Sequence, residues 1–416
     1  MGNFMTHYAK LTRQGKSWAF KAGYMNLHAI FLSLLLAFAG AGPAVANLAQ
    51  VRPAAIDKAE IDKRASRLMH QLEMVGMSVA LVEDGKISFA KGYGEEARGS
   101  NRVVTPDTVF RWASVSKGIA AATILSLQED GALELAQTAS LHAPSLTLPK
   151  AETQISIEDM LAHKVGIVRN AYDNRIEGGR GAKETRGALK DLNYLCEPGT
   201  CHTYQNVAYD ASSEIVETVT GLPYKAVVRE RIFAPLGMRS ASLTLEGLVR
   251  SKSWAKPHGR NGNPIRRVKP NYYRVPAAAG VNSSVKDLAR WMIAQMPPKA
   301  QAREASLPQA HQQAMQQGRV ATPREQSFLN RNFKALQEAQ YGLGWRVYDY
   351  NGHKVVGHRG GVEGYRALVL FDPARRSGIA MMWNSPHTRP IGLQMEFMDQ
   401  LYGLPKRDWL RIGAKG

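Results

Sequence analysis

The chain of 416 residues is long enough for one large domain or two smaller ones, and its 44% hydrophobic content is ordinary for a globular protein. The formal net charge is +19, but no zinc-ligand spacing, RNA-binding aromatic pattern or block of five or more Lys and Arg accompanies it. We therefore expect no nucleic-acid partner. Attraction to anionic envelope polymers or carboxylate-bearing substrates explains the charge better, and solubility alone is the simplest alternative.

Residues 1–46 have the three parts of a secretory signal peptide. A basic region without acidic residues is followed by a short apolar centre, Ile30–Phe38, and by the small-residue cleavage pattern Ala44–Ala46. We expect an exported protein whose mature part, 47–416, is a single domain. The alternative is an uncleaved signal anchor, because the uncharged run 22–51 is long enough to cross a bilayer. Only in that case would the protein be attached to a membrane.

The first predicted elements are a helix and a hairpin. Residues 54–73 have the apolar spacing of an amphipathic helix with mixed charges on its outer face. Two runs rich in β-forming residues, 77–82 and 87–93, flank a turn that contains Asp84 and Gly85, a dipeptide favoured in tight hairpin turns. The N-terminal part of the domain thus supplies two adjacent strands.

A serine and a lysine three residues apart, Ser114 and Lys117, stand where a helix is predicted to begin. On an α-helix two such side chains lie on one face, with Cβ atoms about 5 to 6 Å apart. The run that follows, Ile119–Leu127, is apolar nearly all round, which places the helix inside the domain. An amine beside a serine can accept the hydroxyl proton, and a helix start supplies N–H groups suited to an oxyanion. The simpler interpretation is an ordinary core helix, so the pair needs partners elsewhere in the chain.

The middle of the chain alternates short helices with irregular segments. We expect an irregular connection at 131–150, a loop-rich excursion at 169–195 and a solvated helix or flexible insert at 299–320. His163 and Tyr209 are expected to be structural residues. The helices predicted in this part are 157–163, 211–220, 224–233 and 285–296.

The sequence contains only two cysteines, Cys196 and Cys201, on either side of a Pro-Gly turn. In an oxidising compartment they can join and stiffen that turn, although the spacing alone leaves open whether they are bonded. The adjacent His202 does not complete a standard zinc spacing. We expect neither a metal ion nor a cofactor.

The C-terminal part of the sequence changes to strands. Four β-rich runs separated by turn dipeptides are predicted at 344–350, 354–357, 365–371 and 378–383. Strands at both ends with helices between them indicate an α/β fold of the α+β kind. Its antiparallel sheet would be formed from both chain ends and flanked by helices, with a mainly helical region, about 131–340, inserted between the two parts.

Two further pieces of sequence could complete a site around the serine and the lysine. Tyr204-Gln-Asn206 offers a phenol and an amide. His358-Arg359-Gly360-Gly361 places polar side chains before two glycines on a predicted strand, and glycine lets a substrate lie close against such a strand.

In this order the three pieces resemble the motifs of the class C β-lactamase and penicillin-binding protein family of serine hydrolases: S-x-x-K, Y-x-N, and K-T-G or its H-x-G variant. The resemblance covers roughly residues 58–403 and implies the β-lactamase/transpeptidase-like fold. Five other segments are similar to the connecting sequences of that family: Thr105–Phe110, Leu161–Gly166, Glu197–Thr200, Ala234–Met238 and Tyr341–Trp345.

The resemblance implies a role for each matched residue. Ser114 would be the acylated nucleophile, and Lys117 and Tyr204 would share the proton transfers, with the identity of the base left open. Asn206 would hold the amide side chain of the substrate. The backbone N–H groups of Ser114 and Gly361 would form the oxyanion hole.

The third motif departs from the pattern of the family. His358 stands where β-lactamases of this class carry lysine, and Arg359 where they carry threonine, whereas the H-x-G form is also found among the DD-peptidases and esterases of the family. His358 could take part in catalysis or simply bridge neighbouring groups. Arg359 could bind a substrate carboxylate in a bidentate way. Asn384 and Arg389 are weaker candidates for the same task.

The motifs leave the substrate open. We expect a periplasmic serine hydrolase that opens β-lactam rings through an acyl-enzyme. The alternatives are a penicillin-binding D-Ala-D-Ala carboxypeptidase, which would act on a peptidoglycan-derived peptide, and an esterase of the same fold. A non-catalytic cell-wall binding protein is a further alternative, against which the intact S-x-x-K and Y-x-N motifs argue.

Overall fold

The computed structural model describes residues 55–150, 152–260, 263–299 and 305–413. The predicted signal peptide, 1–46, lies outside these residues. The described residues form ten strands: β1 (Gly76–Glu83), β2 (Lys86–Gly94), β3 (Phe110–Arg111), β4 (Asn282–Ser283), β5 (Val320–Ala321), β6 (Leu336–Tyr341), β7 (Arg346–Tyr350), β8 (His353–Val362), β9 (Tyr365–Asp372) and β10 (Ser377–Trp383).

The helices of the described residues alternate with these strands. In chain order they are α1 (Lys58–Leu68), α2 (Ser116–Glu129), α3 (Ala139–His142), α4 (Ile157–Leu161), α5 (Asp173–Glu177), α6 (Ala182–Gly187), α7 (Ala211–Thr220), α8 (Tyr224–Val228), α9 (Leu245–Val249), α10 (Pro276–Ala279), α11 (Val285–Ala294), α12 (Gln309–Gln316), α13 (Pro323–Asn332) and α14 (Ile391–Leu401). Short 3-10 turns occur at Ala113–Val115, Ala188–Asp191 and Asn271–Arg274, and α8 continues into a π-helical turn, Arg229–Phe233.

Eight strands form one sheet in the order β2-β1-β10-β9-β8-β7-β6-β5, and every pair in it is antiparallel. The N-terminal hairpin pairs with the last strand, with Ala80 of β1 opposite Ala380 of β10. This arrangement confirms the predicted sheet formed from both chain ends and flanked by helices. Strands β3 and β4 form a separate two-stranded pair.

The first hairpin shows how the local sequence sets the register. Asp84 and Gly85 both adopt positive φ, 51° and 76°, as the predicted tight turn requires. Along β1, Val79 and Leu81 belong to one apolar core, and Ala80 belongs to the other. Because successive side chains of a strand point to opposite faces, this alternation shows that the sheet is covered on both sides.

The two cores lie on opposite faces of the sheet. Helices α1 and α14 contribute to one core, together with Leu329 of α13. Helix α2 and most helices of the inserted region form the other. Helix α2 is buried along nearly its whole length, from Ser116 to Leu127, as its apolar sequence predicts. This position holds the start of α2 against the middle of the sheet.

Three segments differ from their sequence-based predictions. The segments 131–150 and 169–195 contain the short helices α3, α5 and α6. The prediction of a solvated helix or flexible insert at 299–320 is wrong for α12, because the side-chain amides of its glutamines donate hydrogen bonds to buried backbone carbonyls. The Gln312 side chain donates to the carbonyls of Ala294 and Met296 at 3.1 and 2.9 Å. The sequence did not predict strands β5 and β6 or helix α13.

Among the helices in the described part of the chain, none combines the length and the apolar composition needed to span a bilayer.

Candidate active site

A sharp turn presents Ser114. Strand β3 ends at Arg111, and Ala113 then adopts φ 50°, a left-handed conformation that is uncommon for a residue with a side chain. Ser114 follows on the 3-10 turn that leads into α2, which begins at Ser116. The flanking residues Ala113 and Val115 are buried, whereas Ser114 is partly exposed. The turn therefore leaves the hydroxyl group of Ser114 accessible on an otherwise buried segment.

Lys117 is fully buried and held by fixed partners. Its Nζ donates to Asn206 Oδ1 at 2.7 Å and to the carbonyl of Ala278 at 3.0 Å, and it lies 3.5 Å from Ser114 Oγ. The carbonyl of Lys117 in turn accepts a bond of 2.9 Å from the phenol of Tyr209. The structure thus brings together the serine, lysine and asparagine that the sequence singled out.

Tyr204 completes this group from the side of the lysine. Its ring centre lies 4.7 Å from Lys117 Nζ, and the guanidinium groups of Arg169 and Arg346 lie 5.6 and 5.8 Å from the same ring. Its ring also packs against His163, with the two ring centres 4.2 Å apart. Three cations therefore face one buried phenol, a concentration of positive charge that neither Y-x-N nor S-x-x-K indicates.

Asp173 extends the group beyond the predicted residues. The amide Nδ2 of Asn206 donates to Asp173 Oδ2 at 2.7 Å, while its Oδ1 accepts from Lys117. Burial raises the pKa of Asp173 to about 6. No sequence pattern indicates this residue, because it is one of four acidic residues in the polar segment 169–195 and only the tertiary fold brings it to Asn206.

Strand β8 lies directly against the turn that carries Ser114. A Cβ atom on Gly360 would stand 2.0 Å from the carbonyl oxygen of Trp112 and 3.1 Å from the backbone nitrogen of Ser114. Only glycine fits at such a distance. Gly361 follows on the same strand, opposite Arg366 of β9. The predicted glycine-lined strand is therefore in contact with the serine segment.

His358 acts as a bridge in this structure. Its Nδ1–H donates to the carbonyl of Arg359 at 2.9 Å, so its Nε2 accepts from the phenol of Tyr341 at 3.0 Å. Burial, reinforced by the charges of Arg346 and Lys117, lowers the pKa of His358 well below its ordinary value. The imidazole is therefore neutral, and position 358 does not supply the cation that lysine gives to related β-lactamases.

The other proposed carboxylate-binding residues have different partners. Arg359 forms an ion pair with Glu325 and lies over the Phe328 ring at 4.8 Å. Asn384 is fully buried and accepts from the backbone N–H of Gly76, so it is a structural residue. Arg389 pairs with Glu73 at 2.6 Å. The two weaker candidates, Asn384 and Arg389, thus serve the scaffold.

The expected structural residues occupy structural positions around the site. His163 is buried, and its Nδ1 accepts from the backbone N–H of Gln205 at 3.1 Å. Cys196 and Cys201 form a disulfide in the turn that precedes Tyr204. These contacts fix the backbone on which Tyr204 and Asn206 stand.

An open cavity of about 660 Å³ borders the site. Tyr204, Gly360 and Gly361 line one side of it, and residues of α13 line another. Ser114 is not itself part of the lining, so the cavity adjoins the Ser114 segment and does not contain it. Among the described residues, no three His, Cys, Asp or Glu side chains are grouped in a way that could hold a metal ion.

The fold and the arrangement of these residues define a β-lactamase-fold serine hydrolase, and comparison with known proteins gives the same result. Residues 61–397 match the family described as Beta-lactamase, and the chain belongs to this family.

Several relatives are similar to this chain over most of its length. An unguisins hydrolase of Aspergillus campestris (strain IBT 28561) is 29% identical over 353 residues, which is 80% of this chain and 62% of that protein. The Protein flp of Staphylococcus aureus (strain N315) is 26% identical over 335 residues, 78% of this chain and again 62% of the relative. The chain thus spans less than two thirds of the length of these relatives.

Solved structures share the fold. An octameric penicillin-binding protein homologue from Pyrococcus abyssi has a TM-score of 0.74 at 24% identity, covering 84% of this chain and 78% of that one. A crystal structure of SurE has a TM-score of 0.63 at 21% identity, with 84% and 77% covered. At these identities the likeness concerns the fold alone.

Proposed function

We propose that the protein is a hydrolase that cleaves amide bonds through an acyl-enzyme formed on Ser114. The observation that carries this proposal is the position of Lys117, whose Nζ lies 3.5 Å from Ser114 Oγ. Two oxygens hold this nitrogen, the side-chain Oδ1 of Asn206 and the backbone carbonyl oxygen of Ala278. A nucleophile and its base within reach of each other, with the base oriented by a third group, is the arrangement that serine acylation requires.

The two carbonyl partners also orient the proton transfer. The side-chain oxygen of Asn206 and the backbone carbonyl of Ala278 hold Lys117 Nζ in place, and Ser114 Oγ is the third oxygen beside this nitrogen. We therefore assign to Lys117 the removal of the Ser114 proton when the substrate is attacked.

Tyr204 and the backbone supply the remaining functions. Tyr204, next to Lys117, would pass the proton to the leaving group and later help to activate water. The N–H groups of Ser114 and Gly361 would stabilise the oxyanion, since Gly360 brings the backbone of β8 against that of Ser114. Asn206 would receive the amide side chain of the substrate.

We propose β-lactams as the first substrate class to examine, on the strength of the three motifs in their order. A D-Ala-D-Ala type peptide or an ester is the second candidate, and a specific observation favours it. His358 is neutral and bridges Arg359 and Tyr341, where β-lactamases of this class carry a lysine cation. The proposed location is the periplasm, which the mature N-terminus and cell fractionation would test.

Labelling with a fluorescent penicillin, followed by mass spectrometry of the labelled peptide, tests the proposal. We expect label on Ser114 in the wild type and none in Ser114→Ala. A label that forms and then disappears indicates a β-lactamase, and one that persists indicates a penicillin-binding peptidase. Turnover of p-nitrophenyl esters without any label indicates an esterase.

Ser126→Ala is the matched control. This hydroxyl stands on α2, the helix that follows Ser114, is also partly buried and donates to the local carbonyl of Thr123. It should leave labelling unchanged. If Ser114→Ala retained full activity, or if the label were found on another residue, the acyl-enzyme proposal would be wrong.

A further inference from the structure

The cavity beside the reaction centre is lined by an unusual number of cations. Glu325 is the one carboxylate among its lining residues. Because like charges in one cavity repel each other, such a lining favours the binding of anions. The six guanidinium groups of the lining belong to Arg169, Arg324, Arg331, Arg346, Arg359 and Arg366.

Glu325 neutralises only part of this charge. It pairs with Arg359 and, at 3.5 Å, with the buried Arg346. Burial opposes the ionisation of Glu325, but the charges of these two arginines outweigh it and hold the pKa of Glu325 below its ordinary value. Arg366 donates to two backbone carbonyls of its own hairpin. Three of the six guanidinium groups are thus accounted for by fixed partners.

The other three guanidinium groups lack such partners. Within the described parts of the chain, Arg169, Arg324 and Arg331 form no ion pair with a carboxylate, and all three are exposed at the cavity. Partial desolvation of the guanidinium group, together with the nearby charges of Arg324 and Arg346, lowers the pKa of Arg169 below its ordinary value. The cluster is therefore electrostatically unfavourable as it stands, and a bound anion would relieve the repulsion.

Helix α13 sets the spacing of two of these groups. Arg324 and Arg331 are seven residues apart, which places them on one face of the helix about 10 Å apart along its axis. Two cationic side chains at this spacing suit two separate anionic groups better than one. Phe328, which lies between them on the same face, lines the cavity together with Leu195 and Ile391. The surface therefore consists of two cationic positions separated by an apolar one.

We propose that this cavity binds a part of the substrate that carries two carboxylates joined by an apolar chain, with Arg324 and Arg331 each contacting one of them. The inference rests on the proposed function, because it assumes that the cavity belongs to the substrate of Ser114. It narrows the substrate to a doubly acidic amide or ester. Arg169, next to Tyr204, lies on the side of the cavity nearest to the reaction centre.

Calorimetric titration of the whole protein with suberate and octanoate tests this inference. Both ligands have eight carbon atoms, but suberate carries a carboxylate at each end. We expect suberate to bind about tenfold more tightly than octanoate, which is the contribution of one further charged hydrogen bond. The preference should weaken in 0.5 M salt, because the contacts are exposed.

Variants assign the preference to the helix. The double change Arg324→Gln with Arg331→Gln should remove it. Arg250→Gln should keep it, since Arg250 is an exposed arginine at the end of α9 that pairs with Glu246 and does not line the cavity. Equal affinity for the two ligands, or an unchanged preference in the double variant, would overturn the inference. Tighter binding of inorganic phosphate than of suberate would overturn the assignment to carboxylates.

Calorimetry needs no turnover, so this result is separate from that of the penicillin experiment. Loss of the suberate preference with intact labelling of Ser114 would refute only the substrate class. A preference for suberate without any acylation of Ser114 would refute the proposed hydrolase function, and with it the assignment of the dicarboxylate to a substrate, but would leave the dicarboxylate-binding cavity in place.

Discussion

Replacing Asp173 by asparagine should change how the stability of the protein depends on pH. Burial raises the pKa of Asp173 from 3.8 to about 6, so the folded state favours the protonated carboxyl group. The stability associated with this group is therefore fully present below pH 4 and is lost as the pH rises through 6. Since one pKa unit equals about 1.4 kcal/mol, the loss is on the order of 3 kcal/mol.

The variant removes this dependence while keeping the local hydrogen bond. In Asp173→Asn the amide oxygen of the new side chain can still accept from Asn206 Nδ2, which now bonds to Asp173 Oδ2 at 2.7 Å. The free energy of unfolding of the variant, relative to wild type, should therefore rise by about 3 kcal/mol between pH 4 and pH 7. Urea unfolding at four pH values in this range measures the difference.

Two further variants control the measurement. Asn174→Ala alters the same short helix, α5, without removing an ionisable group, so its difference from wild type should not change with pH. Asp173→Ala should show the same pH dependence as Asp173→Asn, with an added constant loss of about 1 to 3 kcal/mol because the amide of Asn206 loses its acceptor. A difference between Asp173→Asn and wild type that stays constant or falls with rising pH would refute the reasoning.

Two other substitutions test the packing of the site. Gly360→Ala should lower the kcat/KM of any turned-over substrate about a hundredfold or more, because the new methyl group would stand 2.0 Å from the carbonyl oxygen of Trp112 and displace it. Gly187→Ala places its Cβ with no atom within 4 Å and should leave kcat/KM unchanged. Equal kinetics for the two variants would contradict the close contact at Gly360. Tyr341→Phe leaves Nε2 of the buried His358 without its donor and should reduce the free energy of unfolding by about 1 to 3 kcal/mol in urea, and an unchanged midpoint would show that water replaces the phenol.

The sequence predicted the parts of the site that depend on local pattern. The S-x-x-K spacing placed Ser114 and Lys117 together because it lies where an apolar helix begins, and the Asp84-Gly85 turn was predicted because its backbone conformation suits those residues. Asp173 could not be found in this way, since its contact with Asn206 spans 33 residues and leaves no periodic trace.

The inserted region was predicted less well for a similar physical reason. Helix α13 is mostly polar, and among its ten residues Leu329 is the one that is buried, so its apolar pattern is too sparse to indicate a helix. In and just after α12, the side chains of Gln312 and Arg319 donate to backbone carbonyls, whereas the polar composition alone predicts a solvated segment. The residues of α13 that line the cavity were therefore missed, whereas Tyr204, Arg359, Gly360 and Gly361, which line it from other elements, were found through their motifs.

This difference has a functional consequence. The groups around Ser114 are fixed by α2, a buried helix, and by β8, a central strand of the sheet. The close contact at Gly360 leaves almost no room for the Ser114 segment to move. Helix α13 carries the cationic face of the cavity on an element with little buried surface, so its side chains can change at small cost in stability. Substrate preference can therefore vary through α13 while the geometry of acylation stays the same. The suberate titration tests the role of α13 in substrate preference, and the Gly360→Ala kinetics test the fixed geometry around Ser114. If Arg324→Gln with Arg331→Gln also abolished penicillin labelling of Ser114, substrate preference and acylation would not be separable.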